Sequence, residues 1–143
     1  MNTRGIRNCN PANIRKGSNW KGLRAKQTDK AFCQFTEMKW GVRALLCLLR
    51  TYVRKYGLKS VAQIIRRWAP PQDHNDTNSY IEFVVNHISY VWDKDQVFLE
   101  ARDFDADNTE GTWKLFYLCS AMCTMESGYY LRYDLFMAAL RLL

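Results

Sequence analysis

Glu126 is the residue whose type and position point most directly to chemistry. Leu115, Leu118, Cys119, Met122 and Cys123 recur at three- and four-residue steps and make one apolar stripe. Glu126, four after Met122 and three after Cys123, continues it. A helix with this pattern carries a carboxylate at the edge of its core, one turn from its C-terminal end. Desolvation disfavours the ionised form there, and the negative end of the helix dipole acts in the same direction. A carboxylic acid held protonated near neutral pH is what glycosidic cleavage asks of a general acid. The plain alternative is a solvated glutamate at a helix end, and pattern alone weighs the two equally. Ser127-Gly128 would turn the chain sharply and open a cleft beside the acid.

Other chemistry has fewer candidates. A two-carboxylate glycosidase needs a second acid about 5 to 9 Å from the first. Asp29 is the acid placed for it, alone in a basic and β-like region, although a turn residue within Thr28-Asp29-Lys30 is the preferred reading. Asn10 and Asn13 could hydrogen-bond the acetamido groups of sugars, or equally cap their own backbone. His74 lies in a polar loop and His87 on a helix, and neither has a Cys or Ser partner at readable spacing. Cys9, Cys33, Cys47, Cys119 and Cys123 form no C-x-x-C pair. They read as unbridged thiols packed in a core and kept in a reducing compartment. No metal site and no cofactor is expected. Gly41, Gly57 and Gly111 are isolated, so no phosphate-binding glycine loop is present.

Several short stretches resemble one enzyme superfamily. Ala121-Met122-Cys123-Thr124-Met125-Glu126-Ser127-Gly128-Tyr129 resembles the end of the catalytic helix in lytic transglycosylases and related lysozyme-like enzymes. Asn10-Pro11-Ala12-Asn13-Ile14-Arg15-Lys16-Gly17, followed by Trp20-Lys21-Gly22, is similar to the Asn-rich segment of bacterial cell-wall glucosaminidases. Phe32-Cys33-Gln34-Phe35 and Gly41-Val42-Arg43-Ala44-Leu45 look like that group's strand and next helix start. Trp68-Ala69-Pro70-Pro71, then Asn75-Asp76-Thr77 and Tyr80-Ile81, resemble the transglycosylase stretch where a Thr and a Tyr open a late helix. In that superfamily the Glu helix comes first, whereas here it comes last. A circular permutation, with the break between the Glu helix and the Asn-rich loop, reconciles the order, and chain ends that lie close together make it physically cheap. The combination resembles a phage and prophage family of virion structural proteins with a lysozyme-like domain. Cys9 departs from that family, which has a run of Asn there.

The resemblance implies a single lysozyme-like domain over residues 1–143 that cleaves peptidoglycan glycan strands as a muramidase or lytic transglycosylase. One Glu, here Glu126, would act as acid and then base, while the substrate's own 2-acetamido or 6-hydroxyl group attacks. Tyr80 would orient the sugar or stabilise charge, unless it is simply a core aromatic. The quoted words also put Ile14, Trp20, Thr77 and Ser127 among the substrate-binding positions, with Asn10 and Asn13.

The elements that must position these residues follow from periodicity. Met1 to Phe35 predicts loops and a small β-ribbon. Val42, Leu45, Leu46, Leu49, Tyr52 and Val53 predict a helix from about Thr36 that stops near Gly57. Ser60 caps a short helix through Val61, Ile64, Ile65 and Trp68, which Pro70-Pro71 breaks. Asp76 or Thr77 opens another through Tyr80, Ile81, Val84, Val85 and Ile88. Asp93 to Asp107 reads as acidic and partly irregular, with a short helix around Val97 to Ala101. A long helix spans Thr109 to Ser127 and stops at Gly128, and a last one covers Tyr133 to Leu143. The fold class is therefore mainly α with a small β element.

Composition bounds the rest. The 143 residues are 48% hydrophobic and 14% aromatic, enough for one core and too apolar for a disordered chain. No apolar run approaches the roughly 18 residues that span a bilayer. Met1 to Arg15 lacks the apolar centre of a secretory signal, so synthesis in a bacterial cytoplasm is expected, with delivery in a virion or at lysis. The net charge is +7, but residues 1–68 carry 16 of the 21 Lys and Arg against Asp29 and Glu37, a net of +14. Such a half could guide an anionic polymer, whether peptidoglycan, teichoic acid or nucleic acid, or attract the acidic half within the fold. Beside the enzyme stand two further readings: a virion or assembly protein, with other virion proteins as partners, and a nucleic-acid binder.

Overall fold

The computed structural model describes residues 2–89 and 98–143. The chain is mainly helical, in the order α1 (Arg4–Arg7), α2 (Met38–Arg54), α3 (Val61–Trp68), α4 (Thr77–Ser89), α5 (Thr109–Ser127) and α6 (Tyr133–Leu140). It divides into two compact units. The first joins Met1–Leu48 with Met122–Leu143, and the second is Leu49–Ala121. Helices α2 and α5 each begin in one unit and end in the other.

The first unit opens with a helix that periodicity does not reveal. Four residues are too short to show a stripe, so α1 depends on its caps. Thr3 accepts from Ile6 N at its start, and the Asn8 N–H closes its end on Arg4 O. The expected β-ribbon is reduced to isolated antiparallel bridges, Arg15 with Phe32 and Leu23 with Phe35. Side-chain amides take the place of ladder bonds. Gln34 Oε1 accepts from Thr28 N at 2.6 Å, Gln27 Oε1 accepts from Gln34 N at 2.8 Å, and Gln34 Nε2 donates to Asn8 Oδ1 at 3.1 Å. Such local bonds satisfy backbone groups that a regular strand would have paired. The start of α2 buries Val42, Leu45 and Leu46, and the end of α5 buries Met122 and Cys123. Phe136, Ala139 and Leu140 of α6 add to this core. Helix α6 ends at Leu140, short of the expected Leu143, where the N–H groups of Arg141, Leu142 and Leu143 close the last turn.

In the second unit Ser60 caps α3 with a complete capping box. Gln63 N donates to Ser60 Oγ at 3.1 Å and Ser60 N donates to Gln63 Oε1 at 3.2 Å. Val61, Ile64 and Ile65 are buried. Pro70 and Pro71 end the helix, as their missing N–H groups dictate, and Pro71–Asp73 make one 3-10 turn. Asp76 accepts from Ser79 N and Oγ at the head of α4. That helix buries Thr77, Tyr80, Val84 and Ile88, while Ile81 and Val85 lie at the half-buried margins of the stripe. A 3-10 turn occupies Ala101–Phe104. It begins where the helix expected around Val97 to Ala101 was to end, and the Asp93 to Val97 part of that expectation lies outside the described residues. Lys114 of α5 reaches Asp103 at 2.8 Å, both side chains nearly buried. No helix among the described residues is long and apolar enough to cross a membrane.

Candidate active site

Helix α5 buries Leu115, Leu118, Cys119, Met122 and Cys123, and Glu126, which continues this stripe, is half-buried. The helix stops because Gly128 adopts φ 71°, a left-handed conformation that glycine enters without cost. Its N–H returns to Thr124 O at 3.0 Å in an αL cap.

The last carbonyls of α5 are tied to the N-terminal loop. Asn13 Nδ2 donates to Glu126 O at 2.9 Å, Ser127 Oγ donates to Pro11 O at 2.7 Å, and Thr3 Oγ1 donates to Ser127 O at 2.7 Å. These bonds link residues more than 110 positions apart in sequence and set the Glu126 backbone against the Asn10 to Ile14 loop. Gly5 lies at the same junction. A Cβ there would stand 2.7 Å from Asn13 Oδ1 and 2.8 Å from Ser127 Cβ. Asn13 itself is left-handed, at φ 52°, and its buried Oδ1 has no hydrogen-bond donor among the described residues.

The electrostatics of this helix end are visible at Cys123. Burial, with the charge of Glu126 adding to it, pushes the thiol up to about 12. A thiol so poorly ionised is inert toward nucleophilic chemistry at neutral pH, which leaves Cys123 a packing residue. Tyr129 is half-buried and is also raised, by burial first and then by Cys123. Tyr130, four residues after Glu126, is 87% exposed. Tyr129 belongs to the helix-end word quoted above, and Tyr130 lies one residue beyond it.

Other expected site residues are committed to holding the loop together. Asn10 is fully buried. It donates to Ile14 O and Cys33 O and accepts from Ile14 N, so its amide shapes the turn that carries Asn13. Ile14 is buried beside it. Trp20 is half-buried, and its buried indole N–H has no acceptor among the described residues. Thr77 and Tyr80 lie buried in the second unit, where Thr77 Oγ1 donates to Ala69 O at 2.5 Å and ties the head of α4 to the end of α3. His87 is half-buried beside Phe83 and Tyr117, and burial lowers its pKa. The described residues contain no cluster of His, Cys, Asp and Glu able to hold a metal.

Asp29 is the most heavily engaged acid of the loop. Arg4 pairs with both of its oxygens, at 2.6 and 2.7 Å, and Phe32 N, Ala31 N and Asn8 Nδ2 donate to it as well. Its side chain is 7% exposed. The Arg4 bond first, then these amides, hold its carboxyl far below the usual carboxylate range. A carboxylate so occupied matches the turn residue of Thr28-Asp29-Lys30 better than a second catalytic group. Because the folded form has the lower pKa, its contribution to stability is complete above the unfolded value near 3.9 and is lost as pH falls below it. Asp29→Asn is therefore expected to lower the melting temperature at pH 7, and the gap to wild type should close as the pH is brought from about 5 toward 2. Thermal melts across that range check this, and coincident curves at pH 7 would contradict it.

No protein-family model matches the chain. Over 87 residues it is 47% identical to Protein P5 of Pseudoalteromonas phage PM2, a match that covers 58% of this chain and 54% of that protein. The chain spans about half the length of this curated relative. It is thus related to a phage protein.

Proposed function

We propose that the chain is a phage-encoded peptidoglycan-cleaving glycosidase, a muramidase or lytic transglycosylase, built as one circularly permuted lysozyme-like domain over residues 1–143. The observation that carries this is the junction at Glu126. A half-buried carboxylate continues a fully buried helical stripe, and its own main chain is bonded to the Asn10 to Ile14 loop. The Trp68 to Ile81 stretch lies in the second unit, while two of the resembling stretches, the Glu-Ser-Gly helix end and the Asn-rich loop, fall in one unit built from the two ends of the chain. That is the adjacency a circular permutation requires.

In this reading Glu126 protonates the glycosidic oxygen as the bond to the anomeric carbon breaks. The substrate's 6-hydroxyl attacks that carbon and gives its proton to the Glu126 carboxylate, or the 2-acetamido oxygen attacks first and is then displaced by water, which gives its proton to Glu126. Asn13 and Ser127 act by positioning: their bonds fix the last turn of α5, and with it the direction of the Glu126 side chain. Tyr130 offers an exposed ring to a sugar face. Asp29 and Asn10 hold the loop and carry no step, and Thr77 and Tyr80 have the packing role their burial favours.

A second reading stands beside it: a virion or assembly protein that keeps a lysozyme-like fold with little activity and takes other virion proteins as partners, with which the likeness to a phage protein accords equally. Hydrogen exchange separates the two. With N-acetylated chito-oligosaccharides or muropeptides at high salt, the amides of residues 124–130 and 10–14 are expected to become protected. Unchanged exchange there with either ligand would turn the assignment to the structural protein.

A further inference from the structure

Between Glu37 and Asp73 the chain carries no acid, yet it carries Lys39, Arg43, Arg50, Arg54, Lys55, Lys59, Arg66 and Arg67. In the second unit the C-terminal end of α2, the turn after it and α3 expose five of these: Arg54, Lys55, Lys59, Arg66 and Arg67. Among the described residues none of the five is in an ion pair. One of them is preorganised. The Arg67 guanidinium lies 3.7 Å from the centre of the Tyr56 ring and 5.4 Å from that of Tyr52, and Lys55 Nζ is 5.4 Å from the Tyr56 ring centre. A guanidinium held over a ring by a cation–π contact is fixed in place and keeps N–H donors for the oxygens of a phosphate.

We propose that this face of α2 and α3 binds the phosphodiester backbone of double-stranded DNA, independently of the Glu126 site. Three observations select that partner. Arg54 is the last residue of α2, Arg66 and Arg67 lie on α3, which Ser60 caps, and Lys55 and Lys59 lie in the turn between, so helix geometry sets the spacing of the arginines, and a stiff polyanion with one charge per about 1.7 Å of axis answers a fixed array better than a flexible wall polymer. Tyr56, 43% exposed, and Phe98, 48% exposed and bridged to Ser60, are the large exposed hydrophobic residues at this face among those described, and two separate rings fall short of the apolar fringe that an anionic membrane would need. Arg67 also covers a face of Tyr56, which favours backbone contact over the base stacking that single strands require.

The test uses the full chain and a fluorescent 20-base-pair duplex, with anisotropy followed from 50 to 300 mM salt. Arg66→Glu with Arg67→Glu is expected to weaken binding at least about 30-fold and to flatten the salt slope by about 2. The equal charge change Lys21→Glu with Lys26→Glu, on the exposed loop of the first unit, should cost less than about 3-fold. Arg67→Lys keeps the charge and loses the fork, so a weakening of about 3- to 10-fold is expected, with Tyr56→Leu in the same range. Thermal melts of each variant confirm folding. Equal losses from the two reversals, or no loss with Arg67→Lys, would show a diffuse field and overturn the site. Tighter binding of glycerol teichoic acid, or of vesicles containing phosphatidylglycerol, than of the duplex would overturn the partner. Glu126→Gln should leave duplex affinity unchanged, so this proposal and the glycosidase reading fail separately.

Discussion

Glu126→Gln is expected to lower the rate of cell-wall clearing by about 10² to 10⁴, the usual loss when a positioned proton donor is removed. The fold should be spared. Gln has nearly the same shape, and the bond that anchors this residue comes from Asn13 to its main-chain oxygen, which the substitution retains. Ser127 keeps its bond to Pro11 O, and Thr3 its bond to Ser127 O, because the substitution touches neither. The melting temperature should therefore move by no more than a degree or two while clearing disappears. Turbidity of purified cell wall, followed beside a thermal melt, checks both halves. A Gln variant that clears wall at the wild-type rate would remove Glu126 from the mechanism.

Gly41→Ala is expected to cause the largest loss of stability. A Cβ at position 41 would lie 2.1 Å from Cys9 O and 3.0 Å from Pro11 Cδ. The first of these is backbone and has little freedom to yield, because Cys9 is left-handed at φ 51° and the Asn10 N–H beside it is bonded to Gly5 O. Overpacking a closed core costs about 1 to 3 kcal/mol and occasionally more, and a contact against backbone belongs at the upper end. For a chain of this length about 3 kcal/mol corresponds to a fall of roughly 10 °C in Tm. Pushing Cys9 and Pro11 away from α2 also moves the Asn10 to Ile14 loop, so clearing should fall with stability. Calorimetry checks the first effect, and an unchanged transition would mean that the loop shifts freely.

The parts of the fold legible from sequence are those set by neighbours within a turn or two. Ser60 with Gln63, the prolines after Trp68, and the stripe from Leu115 to Cys123 closing on Gly128 are local patterns, and α3 and α5 follow from them. Helix α1 was not legible, because four residues show no period and its cap, Thr3, is recognisable only once Ile6 is seen to donate to it. The loop around Gln34 keeps only isolated bridges of the expected ribbon for a related reason. Its alternating apolar residues resemble a strand, but the bonds that shape it run from Gln34 to Asn8 and Thr28. The site divides in the same way. Glu126 could be placed on its stripe from spacing alone. That Asn10 spends its amide on Ile14 and Cys33, or that Arg4 occupies Asp29, depends on pairs four to 25 residues apart whose meeting no periodicity encodes. Short words shared with an enzyme superfamily pointed to both ends of the chain, and the contact between those ends came from the structure.

The central claim is that this chain breaks the glycan strand of peptidoglycan with Glu126. Mass spectrometry of the fragments released from purified sacculi tests it most directly. Wild-type protein is expected to release muropeptides with new glycan ends, either reducing sugars or 1,6-anhydro sugars according to whether water or the 6-hydroxyl attacks, and Glu126→Gln is expected to release none. Sacculi whose glycan strands remain uncut by the wild-type protein would contradict the account.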